Sequence, residues 1–301
     1  MTTFPEFLTA KRTVEDRALN RRVWEQFGTQ LEKQAAGDRD PVRIVEIGAG
    51  TGSMIARLAD WEALPPTVSY RAVDLDADTV DSARKQLPEW LRDVGYTVDE
   101  QPDRLRAHRT DSDATDRTIE ITLEVGDGFA IDDEADAVIA AAVLDLVELE
   151  PVVDELKWLL NDGGVLYAPI TFNGHSSFIP RDPLDNRIER LYHRHMDEIR
   201  DQPGSSRAGQ QLLKVLPAAG YTVLEAGGAD WIVRPTDGTY PTGESTVLEH
   251  LLATIDGALA DYPADVIDPE TRTDWVERRR EQLARGELTL VAHHLDVLAR
   301  L

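Results

Sequence analysis

The chain has no cysteine, few lysines, no long apolar run and only short basic clusters. Zero Cys excludes a disulfide framework, thiolate metal ligands and a cysteine nucleophile. No apolar stretch approaches the roughly 18 residues that a membrane-crossing helix needs, so no membrane partner is expected. The opening segment MTTFPEFLTAKRTVEDRALN has no cationic start leading into an apolar stretch. No secretory signal is therefore expected, and the chain reads as soluble and cytoplasmic. Positive charge is scarce: 32 Lys and Arg face 56 Asp and Glu, a net charge of −24. A field of that sign repels phosphate backbones, so nucleic acid is not an expected partner. The clusters Arg21-Arg22 and Arg278-Arg279-Arg280 are short and have acids nearby.

What is present is a globular composition. Hydrophobic residues make up 42% of 301, enough to bury a sizeable core. The length suits one α/β domain with insertions or a small annex. Only Lys11, Lys33, Lys85, Lys157 and Lys214 are lysines; the other cations are Arg. Acid excess with depleted Lys resembles haloarchaeal proteins, because molar salt shrinks the Debye length to about 3 Å and self-repulsion then costs little.

Periodicity divides the chain. Val14, Ala18, Val23, Trp24, Phe27 and Leu31 recur at helical spacing, which predicts one or two helices over an extension of residues 1–40. Gly37 to Pro41 breaks that pattern. Val42–Ile47 is a β-branched run ending in a glycine-rich turn, followed by a helix from Met54 to Leu64 that Pro65-Pro66 stops. Val68–Leu75 reads as a strand, Asp78–Val94 as a helix with a break at Pro88, and 95–117 as a charged loop or β-excursion. Strands follow at Thr118–Val125, Ala135–Val143 and Val165–Ile170, with a helix at Pro151–Leu160. Residues 171–204 and 236–286 read as insertions. The first carries a helix over Arg187–Arg200, the second helices near 244–261 and 270–285. Arg207–Ala219 reads as a helix, Tyr221–Val233 as a strand pair or long strand, and Leu288–Val297 as a closing strand. The alternation predicts an α/β fold with a mostly parallel sheet and helices on both faces. Ligands in such sheets bind at the C-terminal strand ends.

Three motifs fall at those ends. Glu46-Ile47-Gly48-Ala49-Gly50-Thr51-Gly52 joins a strand to a helix. Its glycines allow a tight turn and close approach to a ligand, and the helix start offers unpaired N–H groups. A dinucleotide fingerprint would place Gly where Ser53 stands. An acid at 46 suits an ammonium better than a pyrophosphate. Asp74, with Leu75 and Asp76, ends the second strand about 20 residues on, where an acid accepts from ribose hydroxyls. Asp76 is the second choice and a candidate helix cap. Gly126-Asp127-Gly128-Phe129 follows the third strand. Asp127 could accept from an exocyclic amine and Phe129 could pack on a base, while a plain Gly-Asp-Gly turn is the alternative.

On these residues the sequence resembles the class I S-adenosylmethionine-dependent methyltransferases, from about residue 42 to 170. The resemblance implies a seven-stranded sheet with its last strand antiparallel, and S-adenosyl-L-methionine as cofactor. It implies that EIGAGTG (Glu46, Gly48, Ala49, Gly50, Gly52) holds the methionine part. Asp74 with Leu75 would take the ribose, Asp127 with Gly128 and Phe129 the adenine, and Ala141–Asp145 would line the methyl-donor site. The segment FAIDDEADA is too short for the helix that the family places between strands three and four.

Methyl transfer is an in-line displacement, so a base near the strand ends is expected. Asp145, His175 and His195 are the catalytic candidates, with His193, Asp182, Asp185 and Asp197 in the same insertion. Helical spacing puts His195 on the apolar face and His193 on the solvent side, which argues against a metal site there. Neighbours His293 and His294 fall on opposite faces of the last strand, one of them structural. The segment Leu144-Asp145-Leu146-Val147 lacks the Asn- or Asp-Pro-Pro-aromatic signature of base-methylating enzymes. A small-molecule acceptor under a lid made of the two insertions is the expectation, with Phe172, Phe178, Tyr192, Trp231 and Tyr240 the aromatics available to line it and core packing the default for any one of them. A non-catalytic cofactor-binding sensor and a nicotinamide-dependent oxidoreductase are the alternatives. The acceptor, the atom methylated and the oligomeric state stay open.

Overall fold

Capping and periodicity set the elements of the computed structural model, which describes residues 3–37, 40–101, 104–110, 115–201 and 204–301. Thr3 opens α1 (Phe4–Ala18) with a capping box: its hydroxyl accepts from Glu6 N, and Glu6 reaches back to Thr3 N at 2.7 Å. Asn20 caps α2 (Arg21–Ala36). The core then alternates: β1 (Val42–Ile47), α3 (Ser53–Asp60), β2 (Thr67–Asp74) and α4 (Ala77–Asp93), which Asp76 caps. A hairpin follows, β3 (Thr97–Glu100) and β4 (Arg104–Thr110), leading to β5 (Asp116–Val125). Next come β6 (Ala135–Ile139), α5 (Leu149–Leu159), β7 (Leu160–Ile179) and α6 (Asp185–Arg194), which continues as a π turn over His195–Ile199. The chain closes with α7 (Ala208–Ala218), β8 (Thr222–Gly228), β9 (Trp231–Val233), α8 (Glu244–Ala260), α9 (Pro269–Ala284) and β10 (Thr289–Arg300).

The strands form one sheet in the order β3-β4-β5-β2-β1-β6-β7-β10-β8, with β9 added on β10. The five central strands, β5 to β7, are parallel. Among the described strands only β4 and β10 run against the rest. The stretch from β5 to β8 holds the expected seven strands with the last in sequence antiparallel; β3, β4 and β9 are additional. The order reverses at β1, so the turn after β1 opens at a switch point where a crevice forms.

Several boundaries differ from expectation for local reasons. Helix α3 ends at Asp60, because Ala63 N returns to Leu58 O with Glu62 in the left-handed region (φ 53°). Strand β6 stops at Ile139, and Ala142 turns the chain away with φ 54°. Helix α4 runs through Pro88 without ending. The charged stretch at 95–117 is a β-excursion that pairs with β5 over Arg104–Thr110, while residues 102, 103 and 111–114 lie outside the described residues. So do 38 and 39 of the expected break at 37–41. The largest difference is at β7. Residues 171–179, expected to begin an insertion, continue the strand and pair with β10 as far as Thr289↔Ile179. Phe172 and Phe178 bury there. Between strands three and four only a 3-10 turn, Gly128–Ala130, is present.

The N-terminal helices are bolted to this sheet by buried polar groups. Phe27 of α2 stacks on Tyr167 of β7 at 4.6 Å. Asp296 of β10 is fully buried and accepts from Asn20 N and Ile170 N, both at 2.8 Å. Burial pushes its carboxyl up to about 7. Among the described residues no helix is long and apolar enough to cross a membrane.

Candidate functional site

The glycine turn forms the floor of the site. Gly48, Gly50 and Gly52 adopt φ of 65°, 58° and 80°, the left-handed region that side chains resist. A Cβ at Gly48 would stand 2.5 Å from Val143 Cγ2, so the turn lies hard against the chain leaving β6. Gly50 N donates to Asp74 Oδ2 at 2.8 Å, and Asp76 N donates to Asp74 Oδ1 at 3.0 Å. Each carboxylate oxygen of Asp74 thus has one backbone donor and keeps a lone pair for another. Asp76 is spent on capping α4, accepting from Thr79 N at 2.7 Å. Asp127 accepts from Phe129 N at 3.0 Å and is otherwise exposed. Gly128 is buried, and a Cβ there would meet Ile47 Cγ2 at 2.7 Å.

These residues open on a cavity of about 490 Å³. Gly48, Gly50, Asp74, Leu75, Asp127, Gly128, Phe129 and Ala141 line it. Ala49 and Gly52 do not; they lie buried beneath, where Ala49 N donates to Val73 O at 3.0 Å. Glu46 is also beneath the floor. It is 2% exposed and accepts from the Tyr70 hydroxyl at 2.8 Å. Burial raises its carboxyl to about 8, so at neutral pH it holds its proton and offers little charge to a ligand.

Three catalytic candidates were expected, and only Asp145 lines the cavity. Its Oδ1 is buried with no hydrogen-bond partner, and desolvation raises its pKa. Arg200 stands close, donating to the Asp145 carbonyl at 2.8 Å. His175 is outside the cavity, paired with Glu189 at 2.9 Å. His195 is also outside, its Nε2 2.8 Å from Asp261 at the end of α8. Both rings are engaged in fastening α6, to β7 and to α8. His193 is half-buried rather than on the solvent side; desolvation lowers its pKa, and its ring meets Phe172 edge-on at 5.6 Å. Among the described residues no three His, Asp or Glu side chains gather as a metal site requires.

The roof contains residues that motif reasoning missed, whereas Phe172, Phe178, Tyr192 and Trp231 of the expected aromatic lining are in the far wall and Tyr240 is not among the lining residues. Phe4, Phe7, Leu8 and Lys11 bring α1 across the glycine turn, with Leu8 Cδ1 3.3 Å from where a Gly50 Cβ would be. Their spacing puts them on one face of the helix, but no local signal says what that face covers. Beyond them the wall is aromatic: Phe172 and Phe178 of β7, Tyr192 of α6, Trp231 of β9 and His294 of β10. Burial pushes the Tyr192 hydroxyl up to about 12. Helix α8 closes one side through His250 and Ile255. His250 stacks on Phe7 at 3.9 Å.

No protein-family model matches the chain, and no curated protein matches it. Similar solved structures include a SAM-dependent methyltransferase from Thiobacillus denitrificans in complex with S-adenosyl-L-homocysteine. It is 12% identical over 98% of this chain and 99% of that one, with a TM-score of 0.46. A SAM-dependent methyltransferase from Geobacter sulfurreducens, also with S-adenosyl-L-homocysteine, is 14% identical over 99% of both chains (TM-score 0.43). A cyclopropane synthase from Mycobacterium tuberculosis is 10% identical over 100% of this chain and 99% of that one (TM-score 0.43). What the site can do rests on its own residues.

Proposed function

We propose that the chain is an S-adenosylmethionine-dependent methyltransferase acting on a small molecule, with cofactor and acceptor in the two halves of one cavity. The carrying observation is that Asp74, Asp127 and the Gly48–Gly52 turn share about 490 Å³ with an aromatic wall. The polar half suits a nucleoside. Asp74 has lone pairs left for ribose hydroxyls, Asp127 is exposed for an exocyclic amine, and Phe129 offers a face for a base. The charge suits a sulfonium. Asp74, Asp127 and Asp145 line the cavity, and the one Lys or Arg among its lining residues, Lys11, is bonded to Glu15 at 2.9 Å. A pyrophosphate would meet carboxylates with no free Lys or Arg among the described lining residues, which disfavours a nicotinamide dinucleotide.

The bound cofactor supplies a methyl group on a positively charged sulfur. The protein supplies position and water exclusion. Helix α1 closes over the glycine turn, and α8 closes the side. Asp145, with an unpartnered oxygen and a raised pKa, is the group placed to take a proton from the acceptor. His175 and His195 are given no chemical role, because both are tied to carboxylates outside the cavity.

The test is a methyl-transfer assay of the full chain at ~2 M KCl, a salt level chosen for its acidic surface, against a metabolite extract. Release of S-adenosyl-L-homocysteine is expected, and Asp145→Asn is expected to slow it at least tenfold while cofactor affinity holds. Cofactor binding without release for any acceptor would favour a sensor instead.

A further inference from the structure

The aromatic half of the cavity contains one polar ring whose proton is placed by its surroundings. His294 lies on β10, 7% exposed, and lines the cavity. Its Nδ1 is 3.1 Å from the Ala292 carbonyl oxygen. A carbonyl oxygen can only accept, so Nδ1 carries the hydrogen and Nε2 keeps a lone pair. Burial holds the ring's pKa down to about 4, so it is neutral near pH 7. The ring is wedged between Phe172, edge-on at 5.6 Å, and Trp231, tilted at 5.0 Å. With Nδ1 occupied and no bond to Nε2 among the described residues, that atom is the polar feature this ring brings to a cavity that Phe178, Leu290 and Met196 also line.

A lone pair in such surroundings selects its partner. A carboxylate brings only acceptors; Lys11 is already engaged with Glu15, and the buried, unpartnered Trp231 Nε1–H gives one neutral donor and no countercharge. An ammonium would be drawn to the carboxylates that line the same cavity, Asp74, Asp127 and Asp145, rather than to a neutral ring, and a neutral aryl amine is a weaker donor than a hydroxyl. A neutral hydroxyl donates once and is cheap to bury when bonded. We propose that His294 determines acceptor specificity and that the acceptor is an apolar molecule with a neutral hydroxyl, a phenol in its simplest form, donating to Nε2. This rests on reading the cavity as a methyl-transfer site.

The experiment titrates the full chain, without cofactor, with 4-ethylphenol, 4-ethyltoluene, 4-ethylaniline and 4-ethylbenzoate by calorimetry. The phenol is expected to bind at least tenfold more tightly than each of the others. His294→Phe should bring phenol and toluene within twofold, and His294→Gln, which keeps an acceptor, should restore part of the preference. Equal affinities in the parent, a preference for the aniline or benzoate, or a phenol preference that survives His294→Phe would overturn the proposal. Thermal unfolding shows whether each variant folds; if neither does, the four-probe comparison in the parent decides. A separate titration with S-adenosyl-L-homocysteine tests the methyl-transfer reading. Its failure leaves the hydroxyl result to stand or fall alone.

Discussion

Single side chains decide what the floor of the cavity can hold, and the least obvious of them is Glu46. Reading the motif alone places it against a cationic ligand. In the fold its neighbour across the sheet is β2, where Tyr70 donates to it and the carboxyl is buried. Sequence spacing shows that an acid precedes the first glycine; it does not show which way the strand's pleat turns it. The pKa raised to about 8 from an ordinary 4.5 has a consequence for stability. Between those values the native chain holds a proton that the unfolded chain has shed. Stability from this group is therefore complete below pH 4.5 and is lost as pH rises to about 8. Glu46→Gln keeps an acceptor for Tyr70 and removes the loss. Its stability relative to the parent should be near zero at pH 5 and rise by about 1–3 kcal/mol by pH 9, as expected for relieving a poorly compensated buried group. Urea unfolding at both values measures it; a difference that does not change with pH would contradict the burial argument.

Elements were more legible than their ends. Motifs on β1, β2 and β5 were visible because each carries its own local chemistry: glycines with φ above zero, an acid at a strand end, a Gly-Asp-Gly turn. The role of α1 was not visible, because its apolar stripe reads the same against any surface. The extension of β7 to Ile179 was hidden by Asn173, Gly174 and His175, which look like loop residues until β10 pairs with them. What fixes α1 over the turn is Arg57 of α3. It is 2% exposed, bonds Asp16 at 2.6 Å, and lies 3.4 Å from the buried Glu15, which Lys11 also holds. Removing Arg57 leaves Asp16 without that partner and the buried Glu15 held by Lys11 alone. Arg57→Ala should cost about 3–5 kcal/mol. Neutralising the whole cluster, Lys11→Met, Glu15→Gln, Asp16→Asn and Arg57→Met together, should recover much of that, because none of the four charges is then stranded. A quadruple variant no more stable than Arg57→Ala would show that packing, not charge, fastens the helix.

For the whole molecule, charge and the cavity make separate claims. A net charge of −24 on 301 residues sets carboxylates against one another across the surface, and salt screens that repulsion. The Tm is expected to rise steadily between about 0.1 and ~2 M KCl, where the Debye length falls from about 10 Å toward about 3 Å. A flat or falling Tm would mean that the surface ion pairs, such as Arg71 with Glu124 and Asp133, outweigh the repulsion. The central claim is that the cavity receives an adenosyl sulfonium and not a diphosphate. Calorimetry of the full chain with S-adenosyl-L-homocysteine and with NAD tests it most directly. One site per chain is expected for the homocysteine nucleoside, weakened at least tenfold by Asp74→Asn, with no heat from NAD. Saturable binding of NAD with none of the nucleoside, or nucleoside binding indifferent to Asp74→Asn, would contradict it.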